Sequence, residues 1–359
     1  MKKILFSCNT YFQLIAAIQL NSTVYSDDYT VMVLSDHSKN ADQVANRLRE
    51  TEVFNEVFFV ETRYFCSEYL ETKYKLPCVI DDINGNLYGM DLQDKYFDTF
   101  IYYNDNHASL GIYAALYKVN KKIECMRLEE GIGSYIIDFR YDKKAALSRS
   151  VRRILGQNNL YESTNTFYCF QPELYPGKLK PVQIPPITSN SSSVDVMKKV
   201  FLEPGTDYGI KEKYIFFGSP YDNEGGHSIG ERRLVKEIAE LVGYDNLIVK
   251  AHPRVLSDDY TSMGVKLYPH SSVPWEALQL TMDFSDKIFL TAVSSSVMSL
   301  NMTLEKPIRA YFLYNLTDAE KNQFARITLD MLRQFKDMYG FKPEKYNIHI
   351  AEELIEILR

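Results

Sequence analysis

Apolar positions in the first 130 residues fall into short runs separated by amphipathic stretches. Residues 3–8 are nearly all apolar, the pattern of a strand buried on both faces. Residues 11–20 then follow a helical period, with Asn9 or Thr10 available to cap the first turn. The succession repeats: strands are expected at 29–34, 56–60, 99–103 and 122–128, and helices at 40–50 and near 110–117. Strands alternating with helices predict a mainly parallel, doubly wound sheet.

The pattern breaks near residue 170. Residues 171–193 hold five prolines (Pro172, Pro176, Pro181, Pro185, Pro186) and end in Asn190-Ser191-Ser192-Ser193, a composition that predicts a linker. Alternation then restarts. Strands are expected at 214–218, 246–251, 287–293 and, last, 309–313; helices at 230–242, 274–280 and 295–302; a helical tail covers 317–339 and 351–358. The expected fold class is α/β. An N-terminal Rossmann-like domain (1–170) and a C-terminal one (207–359) flank a linker (171–206), with mainly parallel sheets facing a central cleft.

Composition sharpens this only in part. A chain of 359 residues suits two domains. Its net charge of −6 offers no basic field for nucleic acid. No apolar run approaches the roughly 20 residues that cross a bilayer. The apolar start is interrupted by Asn9, Thr10 and Gln13 with no convincing cleavage site, so it is expected as a strand and not a signal peptide. The five cysteines are widely spaced with no Cys-x-x-Cys, which points to buried small hydrophobes in a reducing cytoplasm. The basic tract 143–153 suits either a solvated helix face or the anionic inner face of the cell membrane; peripheral membrane contact stays open.

Four short motifs carry chemistry. Glu129-Glu130-Gly131 stands where a strand ends; paired carboxylates raise one another's pKa and suit a general base, although such pairs are commonly solvated turns. Lys250-Ala251-His252-Pro253-Arg254 closes another strand with two cations around a histidine, a pattern that can meet a phosphate. Ser294-Ser295-Ser296 opens a helix, where backbone N–H groups and hydroxyls either bind phosphate or serve plain capping. Pro274-Trp275-Glu276 is an ordinary helix start whose carboxylate also suits ribose hydroxyls. Asp-x-Asp, the phosphate loop of kinases and P-loop hydrolases, and the esterase elbow are all missing from the chain.

In this order the motifs resemble those of the bacterial sialyltransferases: an acidic pair with glycine, His-Pro, and a serine pair. The opening Phe6-Ser7-Cys8-Asn9-Thr10-Tyr11-Phe12-Gln13-Leu14 resembles glycosyltransferase family 52, whose members make sialylated lipooligosaccharide and capsule-type glycans. The resemblance spans residues 3 to about 313, with Glu-Glu where many relatives carry Asp-Asp. It implies a GT-B architecture and inverting, metal-independent transfer from CMP-sialic acid to a galactose-terminated glycan, with an α2,3 linkage. Glu129 is then the general base and His252 the general acid. Ser295 and Ser296 bind the phosphate, Glu276 the ribose, and Lys250 lies near the cytosine, with Pro253 and Gly218 beside the donor. Glu130 and Gly131 shape the corner. Apart from the resemblance, Asn9, Thr10 and Gln13 stand at a strand-to-helix corner that suits either donor or acceptor contact or ordinary capping, and Asn104 and His107 occupy a similar corner that suits the acceptor sugar. Domain closure would assemble the site. No resident cofactor, metal or nucleic acid is implied, and a homodimer stays open. Two other readings remain: another nucleotide-sugar transferase of the same fold, such as a glucosyltransferase, and a non-catalytic glycan-binding protein.

Overall fold

The first strand, β1 (Lys3–Cys8), loses nearly all contact with solvent from Ile4 onward, as its unbroken apolar run requires. A computed structural model of the chain describes all residues except 63–74, 105, 137–145, 156–158, 253–254, 256–257, 272, 304–306, 339–341 and 359. Contacts divide the chain into two units. The first comprises Met1–Glu130, Ile137–Pro185 and Asn190–Glu203, and the second Gly131–Ile136, Pro186–Ser189 and Pro204–Arg359.

In the first unit β1 is followed by β2 (Tyr29–Ser35), β3 (Glu56–Val60), β4 (Thr99–Tyr102), β5 (Glu124–Leu128), β6 (Thr164–Cys169) and β7 (Lys180–Gln183). They form one sheet in the order β3-β2-β1-β4-β5-β6-β7, and each neighbouring pair is parallel. The order reverses direction beside β1, between β1 and β4, the place where open parallel sheets bind ligands. Helices α1 (Tyr11–Thr23), α2 (Ala41–Glu50), α3 (Lys75–Asn84) and α4 (His107–Val119) connect the strands. The short α5 (Gly133–Ile136) belongs to the second unit, whereas α6 (Ala146–Ile154) and α7 (Ser192–Phe201) belong to the first. One core cluster packs Leu5, Val31, Phe100 and Tyr102 against Ile112, Tyr113 and Leu116 of α4.

The second unit holds β8 (Tyr214–Phe217), β9 (Leu247–Lys250), β10 (Lys266–Leu267), β11 (Ile288–Thr291), β12 (Arg309–Phe312) and β13 (Ile348–Ile350). Their order is β10-β9-β8-β11-β12-β13, again wholly parallel. Its helices are α8 (Glu231–Val242), α9 (Asp258–Thr261), α10 (Trp275–Thr281), α11 (Ser296–Thr303) and α12 (Gln323–Met338). Among the described residues no helix is long and apolar enough to cross a membrane.

Several expectations need correction. The span 171–206 is no free linker: it contributes β7 and α7 to the first unit. Proline usually ends strands, but Pro181 is tolerated in β7 because β7 is the sheet's edge, where one side needs no N–H donor. The second half of the span is anchored on buried Gln19 of α1, whose Nε2 donates to the Pro185 carbonyl at 2.9 Å while its Oε1 accepts the Ser193 hydroxyl. The strand at Arg309–Phe312 is not the last, since β13 extends the sheet beyond it. The expected helix at 351–358 is a 3-10 turn over Leu354–Leu358. In the basic tract, Arg152 is buried and Arg153 pairs with Glu162 at 3.0 Å, so Arg152 offers nothing to a membrane surface. Lys143 and Lys144 lie outside the described residues, as does Cys66, whereas Cys8, Cys125 and Cys169 are buried free thiols as expected.

Candidate functional site

Parallel strands send all their carboxyl ends to one edge of the sheet, and the residues just beyond them gather there. In the first unit, β1, β4 and β5 are consecutive neighbours. Asn9, Asn104 and the pair Glu129-Glu130 come just after their ends, so the sheet brings together residues far apart in sequence. Asn9 and Thr10 turn the chain into α1. The Gln13 backbone N–H donates to Thr10 Oγ1 at 3.4 Å, and Gln13 Oε1 accepts the Asn9 N–H at 2.7 Å. Gln13 is thus fully buried as part of the cap, and among the described residues its Nε2 has no partner.

Glu129 is also fully buried. Its N–H donates to the Tyr168 carbonyl at 2.9 Å, and its Oε2 accepts the Phe170 N–H at 2.7 Å. β6 and the residue just after it thereby hold Glu129 by both its backbone and its side chain. Glu130 is half-buried, and its charge adds to burial in pushing the Cys8 thiol up. Gly131 then takes φ +69°, and a Cβ there would stand 2.6 Å from Ser299 Oγ. That hydroxyl accepts the Ile132 N–H at 3.3 Å, so the residues just after the acidic pair are tied to α11.

In the second unit, Lys250 on β9, Phe217 on β8 and Thr291 on β11 stand in register across three adjacent strands. Just beyond these strand ends come the expected donor residues: His252, Gly218, and Ser294 to Ser296. The Gly218 N–H donates to the Lys250 carbonyl at 3.0 Å, and a Cβ at Gly218 would meet Tyr260 Oη at 3.0 Å. Thr291 Oγ1 donates to the Phe217 carbonyl at 3.0 Å and accepts the Ser294 N–H at 2.9 Å. The Ser294 and Ser296 hydroxyls share a hydrogen bond of 2.5 Å, and the Ser295 carbonyl accepts the Ser299 N–H at 3.0 Å. All three serines and His252 are partly exposed at this edge. Pro253 lies outside the described residues.

Lys250 and Glu276 are electrostatically coupled. Burial pulls the Lys250 ammonium down and Glu276 opposes it; burial pushes the Glu276 carboxyl up, against its own backbone N–H and Lys250. Trp275, beside Glu276, is buried on Phe217 at 4.9 Å between ring centroids, with Tyr268, Phe284 and Phe289 around it.

One group at this edge escaped sequence reasoning. Glu231, the first residue of α8, is fully buried. Its Oε1 accepts the Ser219 N–H and the Tyr260 hydroxyl, each at 2.8 Å, and its Oε2 accepts the Ser219 hydroxyl at 2.7 Å. Burial pushes its carboxyl up to about 7 against these three donors. Glu231 therefore pins the loop that starts at Gly218. A polar cavity of about 650 Å³ lies elsewhere, along β12 and β13 beside Arg309, Tyr311 and His349, and holds none of the expected donor residues. Among the described residues no group of three or more His, Cys, Asp or Glu could hold a metal ion.

The family model described as Alpha-2,8-polysialyltransferase (POLYST) matches residues 4–298. No curated protein matches the sequence. Among solved structures, the α/β-galactoside α-2,3-sialyltransferase of the luminous marine bacterium Photobacterium phosphoreum superposes with a TM-score of 0.51 at 14% identity, covering 99% of this chain and 100% of that one. A sialyltransferase of Photobacterium damselae, residues 113–497 corresponding to its GT-B domain, gives 0.50 at 13% identity, covering 97% and 100%. Identities this low establish the fold alone, and that fold is GT-B, as the sequence motifs implied.

Proposed function

The chain belongs to the alpha-2,8-polysialyltransferase family, and on that premise we propose that it transfers sialic acid from CMP-sialic acid to a sugar hydroxyl of a bacterial surface glycan. The family match carries this reading, because residues 4–298 contain every expected site residue from Asn9 to Ser296. The acidic pair, His-Pro and serine motifs concern the base and the donor. They do not address the acceptor, for which the family description favours a terminal sialic acid and an α2,8 linkage over galactose and α2,3.

In the proposed reaction, the acceptor oxygen forms a bond to the anomeric carbon of sialic acid as the bond from that carbon to the CMP phosphate oxygen breaks. Glu129 takes the proton of the acceptor hydroxyl, and His252 gives a proton to the departing phosphate, so configuration inverts in one step. Each proton transfer is worth roughly 10²- to 10⁴-fold in rate. The Phe170 N–H holds one Glu129 oxygen and fixes the plane of the carboxylate. Lys250 and Glu276 take the nucleoside of the donor. Ser295 and Ser296, at the start of α11, take its phosphate, where helix-end N–H groups favour an anion. These groups supply the charge stabilisation without a metal.

Incubation with CMP-sialic acid and a panel of lactose and sialyllactose, with and without EDTA, tests the reading. Sialylated product on sialyllactose, undiminished by EDTA, is expected. Product on lactose alone would restore the galactoside acceptor, and no product on any member of the panel overturns the function. Glu129→Gln and His252→Ala are each expected to cut turnover at least a hundredfold with the fold intact.

A further inference from the structure

A second polar array stands at the carboxyl edge of the first sheet, outside the four motifs. His107 is the first residue of α4, just past the end of β4. Its Nδ1 lies 2.7 Å from Oδ2 of Asp82 on α3. The Asp82 side chain is wholly buried, while the His107 side chain keeps 19% of its exposure. The backbone there is held too. The Tyr88 hydroxyl donates to the His107 carbonyl at 3.1 Å, and Gly111 leaves that hydroxyl its place, since a Cβ at Gly111 would stand 2.7 Å from it. Asn106 caps the helix by accepting the Ser109 N–H at 2.8 Å.

The array also has unused bonding capacity. Among the described residues, Oδ1 of Asp82 and Nε and Nη2 of buried Arg152 are shielded from solvent without a hydrogen-bond partner. Burial pushes the Asp82 carboxyl up, and the hydrogen bond and charge of His107 and the charge of Arg152 oppose it, favouring the ionised form. With Asp82 ionised, its carboxylate only accepts hydrogen bonds and Nδ1 of His107 donates the shared proton. The other nitrogen, Nε2, then has a lone pair to offer. Fixing a ring tautomer through a carboxylate is how histidine is oriented for a ligand.

We propose that Asp82 holds His107 with Nδ1–H donated inward, so that Nε2 accepts a hydrogen bond from a hydroxyl of the acceptor glycan. His107 is thus an acceptor-binding residue and Asp82 a positioning residue acting through it. The assignment rests on the proposed transfer to a glycan acceptor and adds the atom that reads that acceptor.

The experiment measures KM for acceptor and donor separately, with release of CMP to water as a control for the chemistry. His107→Asn keeps a side-chain nitrogen near the Asp82 oxygen but has nothing at the Nε2 position. It is expected to raise acceptor KM on the order of tenfold, as loss of one hydrogen bond does, with donor KM and CMP release within about twofold. His107→Gln, which restores a polar atom near the Nε2 position, should recover part of the loss. Asp82→Asn offers an amide donor to Nδ1 and so moves the ring proton to Nε2; acceptor KM should rise there although the ring stays in place. If Asp82→Asn fails to fold, His107→Asn decides alone. An acceptor KM within about twofold of wild type in folded His107→Asn, or an equal rise in donor KM, overturns the assignment. If the wild-type chain transfers no sialic acid, the proposed function fails on its own account. Direct calorimetric binding of the same glycans to wild type and His107→Asn then decides this one.

Discussion

Lys250 and Glu276 each offset the other's burial in the second unit. Removing one partner strands the other in a poorly hydrated place, whereas replacing both by apolar groups removes the conflict. Lys250→Met is therefore expected to lower stability by about 1–3 kcal/mol. The double variant Lys250→Met/Glu276→Leu should regain most of that. CMP affinity should fall in both, because the double change restores packing but not the polar groups offered to the nucleoside. Urea denaturation and calorimetric titration of CMP check the two halves. Equal stability of the single and double variants would show that the charges do not compensate one another.

Gly131 combines two constraints: a left-handed φ of +69° and a hydroxyl 2.6 Å from where a Cβ would stand. Gly131→Ala should lower stability by about 1–3 kcal/mol. Gly131→Ala/Ser299→Ala relieves only the contact, so it should recover part of the deficit and no more. A fully restored melting temperature in the double variant would mean that the backbone conformation costs nothing.

How much of the fold and site was legible in the sequence differs by element. β1 and β2 declared themselves as largely apolar runs because both faces are buried. β7 did not, since it is an edge strand of sequence Lys-Pro-Val-Gln and mostly exposed. β13, Ile-His-Ile, is too short for any period to show. The positions of Lys250, His252, Glu276 and the serines were legible because they fall at strand ends and helix starts, which local pattern marks. Glu231 was not. Gly-Glu at a helix start is the ordinary signature of a solvated N-terminus, and its inward turn depends on Ser219 and Tyr260, 12 and 29 residues away. The Asp82–His107 pair spans 25 residues and two helices, and only the folded chain brings it together.

Glu231 should make stability depend on pH in an unusual direction. Its folded pKa, about 7, lies above the ordinary 4.5, so the folded chain holds the proton more tightly than the unfolded one. The resulting stabilisation is complete below about pH 4.5 and is lost as pH rises through 7. It amounts to at most about 3 kcal/mol. Glu231→Gln cannot ionise, so its stability should lack this decline between pH 5 and about 8. Urea denaturation of both proteins across that range gives the comparison. Curves that stay parallel would mean that Glu231 keeps an ordinary pKa.

The aromatic inventory provides a probe for the donor site. The chain has 27 tyrosines and 20 phenylalanines but a single tryptophan, so red-edge excitation reports on Trp275 alone. Its indole is 3% exposed, which predicts blue-shifted emission in the free protein. The ring packs on Phe217, whose strand leads into Gly218, and the next residue is Glu276. Among the described residues its buried Nε1 has no hydrogen-bond partner, so a small shift of α10 or the arrival of a polar group would change its surroundings. Titration with CMP should therefore alter Trp275 intensity in a saturable way. Glu276→Gln should need at least tenfold more CMP for the same change, because the variant loses the carboxylate offered to ribose hydroxyls. UDP should give a weaker response at equal concentration. An unchanged spectrum at a CMP concentration that calorimetry shows to be saturating would separate Trp275 from the donor site, and with it the placement of the nucleoside at α10.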